Sequence, residues 1–223
     1  MDLSRRSLLI SGAVAGLVGA TAAPAVASET ETDPLKRLLA GNRRFVAGHA
    51  RHLDQSLRRL HEVAAGQHPF AVTIGCADSR VPPEVLFDQG LGDVFDNRVA
   101  GNIVDDLLLG SIEFAVEEFG SPLIVVLGHE RCGAISATVD AIESGGPAPG
   151  HIGAIVEALR PIVEPLIGGP GDVVEQGVRA NVLAQAAALT ARSELLAEHV
   201  AAGEVRIVGA RYDLDSGRVT LLR

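Results

Sequence analysis

The chain has 223 residues, a formal net charge of −9 and only two cysteines. Such an acidic chain is a poor partner for nucleic acids and anionic membranes, because their phosphates attract basic proteins. Its length is that of one domain with a substantial core, once a short N-terminal segment is set aside.

The first 27 residues have the pattern of a twin-arginine export signal. Arg5 and Arg6 precede an apolar run rich in Ala, Gly and Val, and the Ala-Val-Ala of residues 25–27 matches a cleavage site. The run is too short and too rich in glycine for a membrane span, which takes about 20 residues. We therefore expect export to the periplasm or the extracellular and cell-wall space, with no membrane anchor after cleavage.

A polar linker over residues 28–33 is predicted to precede a single domain, residues 34–223. Asp33 and Pro34 predict the start of a helix that ends near residue 48, because an acidic cap followed by proline suits a first turn. A second helix is predicted over residues 56–65.

Two apolar runs are typical of strands buried on both faces of a parallel sheet. The first covers residues 70–75 and the second residues 123–128. A weaker strand, 94–99, and a helix with one apolar face, 105–119, are predicted between them. This order predicts an α/β fold with a mainly parallel central sheet flanked by helices.

The C-terminal part is predicted to be helical up to a last strand over residues 205–210. We expect a helix from Cys132 to about residue 142, a loop over residues 144–150, and helices over 152–166 and 175–202. A hairpin over residues 212–222, turning at Asp215-Ser-Gly217, should then end the sheet with an antiparallel pair.

Both cysteines belong to a cluster that is split between two predicted strand ends. Cys76 directly follows the first apolar strand, while His129 and Cys132 follow the second. Ligands of open α/β sheets bind at the carboxyl ends of the strands, so these residues are expected to converge. Two thiolates and an imidazole suit zinc, and three protein ligands leave one position open, as in catalytic zinc sites.

Two charged residues, Asp78 and Arg80, stand beside the first of these ligands. Water at the open position would have its pKa lowered to about 7, as in known hydrolytic zinc sites. Asp78 could then accept a hydrogen bond from the hydroxide and aim it at a substrate, while Arg80 holds Asp78 in a charge-assisted pair. Gly133, near the start of the next helix, could offer its N–H to an anion.

Export leaves a second interpretation of the cysteines open. In an oxidising compartment two cysteines commonly form a disulfide. An exported protein held by a Cys76–Cys132 disulfide, or one that only buffers zinc, would show no turnover. That interpretation gives Asp78 and Arg80 no purpose, so the pattern favours a catalytic zinc site.

The two motifs, Cys76-Ala-Asp-Ser-Arg80 and His129-Glu-Arg-Cys132-Gly133, resemble those of the beta class of carbonic anhydrases. Further similar segments extend the resemblance over nearly the whole predicted domain, at residues 39–45, 87–90, 98–102, 110–113 and 208–213. The resemblance implies the beta-carbonic anhydrase fold and the reversible hydration of carbon dioxide to bicarbonate and a proton. It implies one zinc ion per subunit on Cys76, His129 and Cys132.

The resemblance also implies further roles and an assembly. Asp78 and Arg80 would form the catalytic dyad, and Gln89 matches a glutamine that contacts substrate, with the N–H of Gly133 nearby. In some family members the aspartate binds zinc itself, which makes Asp78 a candidate fourth ligand. Members are dimers or multiples of dimers, so we expect a homodimer or a dimer of dimers. Hydrolysis of carbonyl sulfide or carbon disulfide on the same fold remains an alternative.

Overall fold

A computed structural model describes residues 32–223 of the chain. The predicted export signal, and all but the last two residues of the predicted linker, lie outside the described residues. Within this part of the chain, each helix is too short or too polar to cross a membrane.

Eight α-helices and five strands make up the described part of the chain. The helices are α1 Pro34–Val46, α2 Leu57–Val63, α3 Pro83–Leu86, α4 Asp106–Phe119, α5 Gly133–Ser144, α6 Ile152–Val163, α7 Val173–Arg192 and α8 Glu194–Ala201. The strands are β1 Ala71–Gly75, β2 Val94–Arg98, β3 Leu123–His129, β4 Arg206–Tyr212 and β5 Val219–Leu221. Short 3₁₀ turns cover Ala100–Asn102 and Glu164–Leu166.

The strands form one sheet in the order β2-β1-β3-β4-β5. The first four strands are parallel, and β5 pairs antiparallel with β4. The predicted α/β architecture, with a C-terminal antiparallel pair, is therefore confirmed. Because β1 and β3 are neighbours, their carboxyl ends lie side by side at one edge of the sheet.

Side chains of β3 alternate between two apolar layers, one on each face of the sheet. Ile124 and Val126 pack with α4, α7 and α8, whereas Leu123, Val125 and Leu127 pack with α1 and α3. Helices therefore cover both faces, which explains why this strand is a continuous apolar run rather than an alternating one.

The prediction of a single helix over residues 175–202 is wrong, because Ser193 interrupts the helix and separates α7 from α8. Ser193 has extended backbone angles and is buried, and its hydroxyl oxygen accepts a hydrogen bond from the N–H of Leu196 at 3.0 Å. A serine that caps a new helix competes with continuation of the old one. The alanine-rich composition on either side concealed this break.

Smaller differences concern helix ends and one short helix. The helix predicted over residues 152–166 ends at Val163 and continues as the 3₁₀ turn, which contains Pro165. Helix α3, which the sequence analysis did not predict, begins at Pro83. Strand β4 extends to Tyr212, two residues beyond its predicted end, before the hairpin turns.

One carboxylate of the sheet is held in an unfavourable environment. The side chain of Asp96 in β2 is only 16% exposed. Burial raises its pKa from 3.8 to about 6, Thr73 opposes this by donating a hydrogen bond, and nearby Glu84 adds to the rise. Between about pH 4 and pH 6, the folded chain therefore keeps a proton on Asp96 that the unfolded chain has released.

The Asp96→Asn variant should therefore be more stable than wild type at pH 8, by about 2 kcal/mol, because no buried charge remains. The advantage should shrink by about 1 kcal/mol at pH 5, where the folded wild type has regained much of its proton. Urea unfolding at the two pH values measures this difference. Asp140→Asn, which removes an exposed carboxylate of α5, is the control. An advantage that is equal at both pH values would contradict the expectation.

Candidate metal centre

The three predicted ligands converge at the carboxyl edge of the sheet. Cys76 directly follows β1, His129 is the last residue of β3, and Cys132 occupies the N-cap position of α5. Their ligand atoms all lie within 4.8 Å of one another. All three side chains are at least 95% buried. The predicted convergence is therefore confirmed by the geometry.

The ring of His129 is fixed so that one nitrogen faces the cluster with a free lone pair. Its Nδ1 lies 2.9 Å from the main-chain oxygen of Glu130. A carbonyl oxygen only accepts, so in the neutral ring Nδ1 carries the proton and Nε2 has the lone pair. Nε2 is buried and has no hydrogen-bond partner. A buried polar atom without a partner is costly, and a metal ion would satisfy it.

The two cysteines are free thiols rather than a disulfide. The pKa of Cys76 is held well below its usual range, chiefly because Cys132 donates a hydrogen bond to its sulfur. The same bond, together with burial, raises the pKa of Cys132. These opposite shifts favour a thiolate at Cys76 beside a thiol at Cys132, and a metal ion would displace the remaining proton. Two sulfurs and an imidazole nitrogen, all buried, are a donor set that fits zinc.

Main-chain N–H groups surround both sulfurs. The N–H of Gly101 points at Cys76 Sγ across 3.4 Å. The N–H groups of Ala134 and Ile135, in the first turn of α5, lie near the sulfur of Cys132 and oppose the rise in its pKa. Sequence reasoning missed the role of Gly101, although its motif was part of the resemblance. The signal in the sequence was the glycine itself, because its φ of +78° is one that glycine adopts readily and other residues rarely do.

Asp78 and Arg80 form the predicted pair beside the cluster. Arg80 holds both carboxylate oxygens, through Nε at 3.0 Å and a terminal nitrogen at 2.7 Å, and its main-chain N–H adds a third bond at 2.9 Å. These bonds lower the pKa of Asp78, so it stays anionic. Its Oδ2 lies 3.9 Å from His129 Nε2. The carboxylate is therefore next to the ligand cluster.

Arg98, which the sequence analysis gave no site role, fixes the loop that carries Cys76 and Asp78. Its Nε donates to the main-chain oxygen of Cys76 at 2.9 Å, and a terminal nitrogen donates to that of Asp78 at 2.5 Å. One side chain at the end of β2 thus ties down both residues. No local pattern indicated this, because the contact spans some twenty residues of sequence.

Gln89 is not brought to the ligand cluster by the described chain. Its amide donates to the main-chain oxygen of Phe87 at 2.7 Å, and its own main-chain oxygen accepts from Gln55 at 3.0 Å. It lines a separate cavity of about 410 Å³ together with Glu84 and Leu91. Its contact with substrate stays a prediction.

Gly133 is placed where an anion could reach it. It is the first residue of α5, follows Cys132 directly and is exposed. A Cβ atom at this position would meet no heavy atom within 4 Å, so the space beside it is open. The first N–H groups of a helix have no partner within the helix. Its role toward substrate also stays a prediction.

Comparison with known proteins agrees with this geometry. A family model described as carbonic anhydrase matches residues 71–219, which include every candidate ligand. Carbonic anhydrase 2 of Mycobacterium tuberculosis (strain CDC 1551 / Oshkosh) is 46% identical over 188 residues, which cover 83% of this chain and 90% of that protein.

Solved structures show the same likeness in three dimensions. A Coccomyxa beta-carbonic anhydrase, solved with acetazolamide, matches with a TM-score of 0.66 at 29% identity, covering 84% of this chain and 86% of that one. One of two tetrameric beta-carbonic anhydrases of Sordaria macrospora matches with a TM-score of 0.65 at 25% identity, over 84% and 96% of the two chains. The fold, the converging cysteines and histidine and these relatives together show that the chain belongs to the beta class of carbonic anhydrases.

Proposed function

We propose that this carbonic anhydrase is a zinc enzyme that hydrates carbon dioxide at the cluster of Cys76, His129 and Cys132. The observation that carries the proposal is the buried His129 Nε2, which faces two cysteine sulfurs and has no partner of its own. Bound there, zinc would supply a Lewis acid that brings the pKa of water down to about 7. The residues around it would orient the reactants.

Asp78 is the orienting residue of this proposal. Both of its carboxylate oxygens are held by Arg80, so it is fixed in place and remains an acceptor. An anionic acceptor beside the cluster takes the hydrogen bond of the attacking oxygen and turns a lone pair toward carbon dioxide. Arg80 keeps Asp78 charged and keeps it from turning onto the metal.

The surroundings of the cluster suit an apolar substrate and an anionic product. Ile135, Val139 and Leu159 pack with the two cysteines in one apolar layer, which favours carbon dioxide over water. The N–H of Gly133, at the positive end of α5, would donate a hydrogen bond to an oxygen of bicarbonate. Gln89 would act at the site only if an assembly of chains brings it there.

Stopped-flow hydration of carbon dioxide by metal-free and zinc-reloaded protein tests the proposal. Activity should be absent without metal, should rise in proportion to added zinc and should saturate near one ion per chain. Magnesium, which prefers oxygen ligands, is the control and should restore nothing. Sulfide release from carbonyl sulfide, measured in parallel, tests the alternative substrate. Zinc-loaded protein that is no faster than buffer would contradict the proposal.

We also propose export by the twin-arginine route and assembly into dimers or dimers of dimers. The arginine pair at residues 5 and 6 supports the first, and the tetrameric relatives support the second. Replacing both arginines by lysine should leave uncleaved protein inside the cell, as fractionation with antibody detection would show. Equal export of the variant and the wild type would contradict that route. Light scattering of the purified enzyme measures the assembly.

A further inference from the structure

Helix α7 carries two amide side chains in its buried face. Asn181 is 1% exposed and Gln185 is 7% exposed, and they lie one turn apart among apolar neighbours such as Val182 and Leu189. Burying an amide costs free energy unless hydrogen bonds satisfy it. An apolar residue at either position would pack in this layer without that cost, so the partners of the two amides indicate their purpose.

Both amides bind the segment that follows β2. Asn181 Nδ2 donates to the main-chain oxygen of Gly101 at 2.8 Å. Gln185 Nε2 donates to Asn181 Oδ1 at 3.0 Å, and Gln185 Oε1 accepts from the N–H of Val104 at 3.0 Å. The two side chains are therefore bonded to each other and to both ends of residues 101–104, which lie some eighty residues earlier in the chain.

This segment carries the N–H that faces a candidate zinc ligand. The N–H of Gly101 lies 3.4 Å from Cys76 Sγ, while its main-chain oxygen is the one held by Asn181. A Cβ atom at Gly101 would lie 3.1 Å from Ala134 and from Leu159, so the backbone is also closely enclosed. The N–H and the oxygen of Gly101 flank the same Cα atom, so a shift of this residue after loss of the Asn181 bond would move its N–H relative to the sulfur.

We infer that Asn181 and Gln185 are positioning residues for the Cys76 thiolate. They hold the Gly101 N–H on the sulfur and thereby set how strongly that sulfur donates electrons to the metal. A hydrogen bond to a thiolate withdraws electron density from it, which is one way in which a protein tunes a bound metal. The inference rests on the proposed metal site and adds two residues of α7 to it.

Cobalt(II) in place of zinc gives a readout that does not depend on activity. Its sulfur-to-metal charge-transfer absorption reports the electron density on the thiolates. Asn181→Leu removes the donor to Gly101, so the absorption should shift to longer wavelength, and zinc affinity in a chelator competition should fall about tenfold. Gln185→Met keeps the Asn181 bond to Gly101, so its shift should have the same sign and be smaller.

Leu189→Ala is the matched control, because it opens a cavity beside the same helix but removes none of the hydrogen bonds that hold residues 101–104. It should lower stability and leave both the absorption and the affinity at wild-type values. If Asn181→Leu fails to fold, the cobalt absorption and the zinc affinity of Gln185→Met test the inference in its place. If the Asn181 and Gln185 variants keep the cobalt absorption and the zinc affinity of wild type, the inference is wrong while the proposed function still stands. Wild-type protein that takes up neither cobalt nor zinc would contradict the proposed function, and the inference with it.

Discussion

Replacing Cys132 by alanine should remove both the bound metal and the hydration of carbon dioxide. Cys132 provides one of three ligand atoms within 4.8 Å of one another. Its loss should weaken zinc binding by more than the 10- to 100-fold that is typical when only a supporting residue is removed. Zinc content by mass spectrometry and stopped-flow hydration measure the two effects on the same sample.

Ser136→Ala is a suitable control for this variant. Ser136 lies one turn further along α5, and its hydroxyl donates to the main-chain oxygen of Cys132 at 3.2 Å. The control removes that bond but leaves the sulfur in place, so metal and most of the activity should remain. A Cys132→Ala protein that keeps one zinc per chain and wild-type activity would show that the cluster is not the site.

Replacing Asp78 by alanine should separate orientation from metal binding. The carboxylate is held by Arg80 beside the cluster, so the variant should keep its zinc. Its turnover should fall about 10- to 100-fold, because the attacking oxygen loses the acceptor that aligns it. Zinc content and kcat, measured together, check both halves of this expectation.

A control for the Asp78 variant is available elsewhere on the surface. Asp106 also pairs with an arginine, Arg192, at 2.6 Å, but its side chain is almost fully exposed. Asp106→Asn should therefore leave kcat and zinc content unchanged. Loss of zinc from Asp78→Ala, with Asp106→Asn unaffected, would identify Asp78 as a ligand rather than an orienting residue.

The sequence predicted the sheet and the convergence of Cys76, His129 and Cys132 well, because that information is local. Residues 70–75 and 123–128 are apolar runs, and each is followed at once by a candidate ligand. Neighbouring parallel strands end at one edge, so the positions of Cys76 and His129 followed from the fold class alone. The Asp78–Arg80 pair spans only two residues and was equally visible.

The supporting residues were missed because their contacts are long-range. Asn181 and Gln185 stand in an alanine-rich helix, where amides suggest a face exposed to solvent. In the structure they are buried and hydrogen-bonded to the main chain of Gly101 and Val104. Nothing in the sequence around Arg98 indicated that its side chain holds the main chain of the loop that carries Cys76. The break at Ser193 was missed for a different reason, since serine is tolerated within helices and acts as a cap only in a suitable tertiary setting.

We propose that Cys76, His129 and Cys132 hold one zinc ion while Arg80 keeps Asp78 off the metal. A crystal structure of the zinc-loaded enzyme near neutral pH, with the zinc located by anomalous scattering, tests it most directly. We expect one zinc per chain bonded to two sulfurs and to His129 Nε2, with a solvent oxygen as fourth ligand and Asp78 still paired with Arg80. Zinc at any other position, or an Asp78 carboxylate bonded to the metal, would contradict the account.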